Sequence, residues 1–126
     1  REALKDKLIE DLKDNILEHT VLIALLEEQK KYKDLNITQF GLKGMEVDAV
    51  VKDKDNVDLY EVKRNKNITA GQYKWLINKE LCDSIEWTIG GKIRNRYVLY
   101  LGRGKNIVDG DYTIKYRNIS DFLRVL

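Results

Sequence analysis

Asp48, Glu61 and Lys63 are the residue types that a metal-assisted attack on a phosphodiester needs. They fall in two short segments, GMEVDAVV from Gly44 and DLYEVKRNK from Asp58, whose remaining residues are largely apolar and strand-like. Side chains alternate faces along a strand. Glu46 and Asp48 are therefore predicted on one face of the first segment. Glu61 and Lys63 share a face of the second, with Tyr60 and Val62 turned away. If the segments pair as neighbours, Asp48 and Glu61 converge at one end of the sheet. Two carboxylates with a backbone carbonyl nearby make a hard oxygen site suited to Mg²⁺ or Mn²⁺. Without a cation they repel each other, and one takes up a proton. An ammonium beside them can hold the attacking water and favour its deprotonation. The plainer reading makes Glu61 and Lys63 an exposed ion pair of little energetic weight. It makes Asp48 an edge charge that discourages aggregation. Glu46 reads as a solvated edge residue outside the ligand set.

These groups need a sheet to hold them. Residues 2–30 read as a long amphipathic helix, with Leu4, Leu8, Leu12, Ile16, Val21 and Leu25 at helical spacing. A hairpin follows: Ile37–Leu42 and Met45–Lys52 flank a Lys43-Gly44 turn. Val57–Lys63 is a third strand. Thr69 is placed to cap a helix running to about Asp83, with Tyr73, Leu76, Ile77 and Leu81 as its apolar stripe. Glu86–Ile89 reads as sheet or as a loop ending at Gly90-Gly91. Tyr97–Leu101 is the best candidate for a buried strand. Tyr112–Tyr116 is a late strand, and Ile119–Leu126 a closing helix with Ser120 as its cap. The expected architecture is α/β, an αβββαβ order in which the helix of about 2–30 precedes a core of about 37–102, with a C-terminal strand and helix at about 112–126 and a mixed central sheet flanked by helices, all in one domain.

Composition narrows the function classes. The chain has 126 residues, 35% of them charged, with one Cys, one His and no Pro. Lone Cys82 excludes a zinc knuckle and points to a reducing, cytoplasmic compartment. His19 alone excludes any two-histidine mechanism. No signal peptide or membrane span is expected. A net charge of +2 hides an asymmetry. Residues 1–62 carry 10 basic and 15 acidic side chains, residues 63–105 carry 10 and 3. A basic middle suits a polyanion partner. Its bland alternative is a surface kept soluble by lysines. Arg64, Lys66, Lys74, Lys92, Arg94 and Arg96 are the candidate phosphate contacts, which position a duplex without reading its sequence. Trp75 could stack on a base; Tyr73 suits the core better. Gly102-x-Gly104 is too sparse for a phosphate loop.

Asp48, twelve intervening residues, then Glu61-Val62-Lys63 resembles the PD-(D/E)xK nuclease superfamily, as does the order helix, three strands, helix, strand. The nearer resemblance is to nuclease-like domains at the C-terminus of certain bacterial and archaeal P-loop ATPases. Their pattern matches Leu17-Glu18, Gly44-Met45-Glu46-Val47-Asp48 and Leu59-Tyr60-Glu61-Val62-Lys63, and covers most of residues 15–102. Val47 stands where the superfamily's name has proline. The resemblance implies that Asp48, Glu61 and the Val62 carbonyl ligate Mg²⁺ or Mn²⁺, and that Lys63 positions or activates water. It also implies Glu18 at or near the site and Gln72 as a polar auxiliary. Taken alone, Glu18 fits the wet face of an amphipathic helix and Gln72 an ordinary helix position. The implied activity is hydrolysis of nucleic acid, DNA first, with a P-loop ATPase as a further partner. The alternatives are a non-catalytic nucleic-acid-binding or docking module on the same fold, and a homodimerisation domain driven by the N-terminal helix.

Overall fold

The computed structural model describes residues 35–124 together with Ala3, Asp6, Leu26, Glu27 and Lys30. Those five are helical, and Leu26 is buried at 2% exposure. The rest of the segment read as a helix over residues 2–30, Glu18 and His19 included, lies outside the described residues.

Six strands form one mixed sheet: β1 Asn36–Leu42, β2 Met45–Asp53, β3 Asn56–Val62, β4 Lys92–Tyr100, β5 Lys105–Asp109 and β6 Tyr112–Asn118. Their spatial order is β1-β2-β3-β4-β6-β5. The hairpins β1–β2, β2–β3 and β5–β6 are antiparallel, whereas β3–β4 and β4–β6 are parallel. Leu42 pairs with Met45, so Lys43 and Gly44 form a two-residue turn. Both have positive φ, 54° and 80°, the twist that such a loop needs between right-twisted strands. Glycine takes this conformation freely; Lys43 bears the steric cost.

Apolar side chains cover both faces. Ala49, Val51, Tyr60, Val62 and Leu99 pack on one face with Leu26 and with Ile119 of α2 (Ile119–Arg124). Val50, Leu59, Val98 and Ile114 pack on the other with Leu81, Cys82 and Ile85 of α1 (Lys79–Ile85). The chain is thus α/β, a mixed sheet with helical residues against both faces. Val57–Val62 of β3 is buried throughout, as expected of a central strand flanked by an antiparallel and a parallel neighbour.

Several expected boundaries shift. The helix expected over residues 69–83 is divided. Ala70–Gln72 makes one tight 3₁₀ turn, and α1 starts only at Lys79, where the Asn78 side chain accepts the Leu81 N–H at 3.0 Å. Asn78 is an internal start signal that favours a new cap over continued helix. The apolar stripe survives the division, since Tyr73, Leu76 and Leu81 are buried. Glu86–Gly90 is a π-helical turn, neither strand nor loop. Strand β4 begins five residues before the expected Tyr97, because its first half is polar. Strand β5 was not expected at all. In α2 the cap is Asn118, not Ser120: its Oδ1 accepts the N–H groups of Ser120 and Asp121 at 3.1 and 3.3 Å.

Candidate active site

The site forms where β2 and β3 stop pairing. Their ladder runs from Asp53↔Asn56 to Ala49↔Tyr60. The next pair is Asp48 and Glu61, and here side chains replace the ladder. Glu61 Oε1 accepts the Asp48 N–H at 3.0 Å, and Asp48 Oδ2 accepts the Val62 N–H at 2.8 Å. Each carboxylate thus satisfies a backbone donor of the facing strand, which holds the two acids together across the sheet.

A bulge on the other side of β2 aims Asp48. Thr38 pairs with Val50, but Phe40 pairs with Val47, so Asp48 and Ala49 together oppose Gln39. One extra residue bends the strand and breaks its alternation. The consequence is visible in the core: Val47 and Val50 pack on one face and Ala49 on the other. The simple alternation that grouped Glu46 with Asp48 is interrupted in this stretch. Glu46 is exposed, and with Gln39, Phe40, Gly41, Val47 and Asp48 it lines a pocket of about 460 Å³ beside the two acids.

Glu61 is 5% exposed. Burial, and then the charge of Asp48, push its carboxyl up to about 7, against the opposing pull of the Asp48 N–H and Lys63. Lys63 Nζ lies 3.5 Å from Glu61 Oε2, and its side chain is 36% exposed. The ammonium therefore touches the buried acid and still reaches solvent. Burial and a neighbouring like charge are thus the two influences that oppose ionisation of Glu61.

The chain after β3 carries Arg64 and Lys66, both exposed. It is tied to the end of β4: the Lys63 N–H donates to Leu99 O at 2.8 Å, and the Leu101 N–H to Asn65 O at 2.9 Å. Gly102 closes the contact. A Cβ there would stand 2.7 Å from the Tyr100 ring and 2.8 Å from Lys66 O, closer than packed atoms tolerate. The Tyr100 hydroxyl donates to Arg103 O, so exposed Arg103 joins Arg64 and Lys66 at this end of the sheet. Arg103 escaped sequence reasoning because the parallel β3–β4 pairing that brings it here is not local.

Gln72 has a different neighbourhood from the acids. Its Nε2 donates to Asn65 Oδ1 and Asn67 O, each at 2.8 Å, and its Oε1 accepts from Thr69 N and the Tyr116 hydroxyl. It braces the loop that follows Lys63. The other basic candidates disperse. Lys92 pairs with Asn56, at the far end of β3 from Glu61. Arg94 makes two hydrogen bonds to Asp58, at 2.8 and 3.2 Å. Arg96 donates to Leu76 O at 2.7 Å and lies over the Tyr112 ring. Lys74 lies 4.5 Å from the centre of the Trp75 ring.

No family model matches this chain, and no curated protein matches it significantly. Among the described residues, no group of three or more His, Cys, Asp or Glu side chains could hold a metal ion. The hard-oxygen donors that the described residues bring together here are the Asp48 and Glu61 carboxylates. Such a pair suits an ion that keeps several waters. No helix among the described residues is long and apolar enough to cross a membrane.

Proposed function

We propose that this chain is a PD-(D/E)xK nuclease-like domain that hydrolyses phosphodiester bonds of nucleic acid, DNA first, with Mg²⁺ or Mn²⁺. The observation that carries the reading is the reciprocal bonding of Asp48 and Glu61 across the β2–β3 end, with Lys63 at 3.5 Å from Glu61. The order β1-β2-β3-α1-β4 supports it, being the order of strands and helix that the superfamily resemblance implies. Asp48, Glu61 and the Val62 carbonyl would hold the ion. Bound there, it would supply Lewis-acid neutralisation of charge developing on the phosphate. Lys63 orients the attacking water and favours loss of its proton. Arg64, Lys66 and Arg103 hold the flanking phosphates. The same resemblance suggests a P-loop ATPase as the partner that such a module serves.

Titration calorimetry with Mn²⁺ tests the centre. The native chain should bind the ion, and Asp48→Ala or Glu61→Ala should weaken binding. Lys63→Ala should keep binding while nicking of plasmid DNA falls roughly 10²-fold or more. Absence of ion binding by the native chain would overturn the reading. Binding without nicking would leave the non-catalytic module on the same fold.

A further inference from the structure

We propose that β5 is a self-association strand, through which two copies of this chain join their sheets edge to edge. Among the described residues β5 pairs on one side only, with β6, at the end of the strand order. Its other side presents unpaired N–H and C=O groups, a template for a further strand. Its sequence is Lys-Asn-Ile-Val-Asp. Laid antiparallel on a copy of itself about Ile107, it sets each Lys105 opposite the other copy's Asp109. Two opposite-charge pairs result from one two-fold axis, as an isologous contact requires.

The faces agree as well. The β5–β6 register pairs Lys105 with Tyr116, Ile107 with Ile114 and Asp109 with Tyr112, so the three β5 residues share the face that α1 covers. Asp109 is already oriented there, its Oδ2 accepting the Tyr73 hydroxyl at 2.8 Å. On the opposite face Val108 is 73% exposed, one of two large hydrophobics so exposed among the described residues. In the self-paired strand the two Val108 side chains become diagonal neighbours across the axis, each opposite the other copy's Asn106, and part of their exposed surface is covered. An edge strand guarded only by charge would not need Lys105 and Asp109 spaced for mutual pairing. Five residues a side make a small interface, so the dimer forms reversibly with concentration.

Sedimentation velocity on the full chain, from micromolar to near-millimolar concentration, tests this. The native chain should pass from monomer to dimer. Lys105→Asp should weaken association about tenfold or more, since it turns both pairs into like charges. Asp109→Lys should do the same, and the double variant, with the charges exchanged, should restore it. Among the described residues the Lys105 side chain makes no hydrogen bond or ion pair, so Lys105→Asp should keep the native circular dichroism spectrum even if Asp109→Lys disturbs Tyr73. A native chain that stays monomeric, or a dimer indifferent to Lys105→Asp, overturns the proposal; the second result would place the contact elsewhere.

Discussion

Glu61 stands between two demands. Its Oε1 must accept a backbone N–H of the neighbouring strand, while burial and Asp48 disfavour its charge. Its carboxyl, ordinarily at 4.5, rises to about 7 in the folded chain. Between those values the native state holds a proton that the unfolded chain has released. Stability of the ion-free protein should therefore fall as pH rises from 4.5 towards 7, by on the order of 3 kcal/mol. Urea denaturation at pH 5 and pH 8, without divalent ions, checks this; Glu61→Gln should flatten the difference. The same proton competes with the ion, so Mn²⁺ affinity should climb through pH 7. That Asp48, Glu61 and Lys63 lie together was legible in the sequence, because alternation and neighbouring strands bring their positions to one end of the sheet. The value near 7 was not, because it arises from burial that only the folded sheet creates.

At the scale of elements, two irregularities do the positioning. The bulge opposite Gln39 ends regular pairing at Asp48, and the β4–β5 connection clamps the chain that carries Lys63, Arg64 and Lys66. Neither was legible. A bulge is one residue of mismatch between two strands, and neither strand alone records it. Gly102 looked like half of a weak glycine pair, and its role comes from a ring two residues back and a carbonyl 36 residues earlier. Gly102→Ala should displace that connection or the Lys66 backbone, at a cost of about 1–3 kcal/mol. Nicking should fall more than Mn²⁺ binding, because the Asp48–Glu61 bonds lie on the other side of β3. A thermal melt with parallel calorimetry separates the two effects. The divided helix shows the converse limit. Its apolar stripe was correctly read as buried, yet a stripe does not reveal that Asn78 restarts the turn.

Across the whole molecule, the sheet explains why some cations group and others do not. Sequence distance placed Arg64 through Arg96 in one basic tract. Parallel pairing of β3 with β4 instead sends Lys92 to the end opposite Glu61 and brings Arg103 to the near end. Arg94 and Arg96 are committed to Asp58 and to Leu76. DNA binding by Lys63→Ala, read by fluorescence anisotropy, should weaken with salt. Removing Arg64, Lys66 or Arg103 should lower the slope of log affinity against log salt by about 1 each. Lys92→Ala should leave it unchanged. The α/β class followed from the order of helices and strands, and five strands from alternation, turn residues or, at Tyr97–Leu101, a compact apolar run. The sixth strand, β5, is short and half exposed, and only its pairing with β6 defines it.

Cys82 lies on the buried face of α1 at 6% exposure, its thiol donating to Leu76 O at 3.2 Å and pushed up in pKa by burial. A maleimide in solution therefore meets it only during moments when that helix lifts from the sheet. The rate of alkylation, followed by intact mass, becomes a native clock for those openings, with no label to introduce.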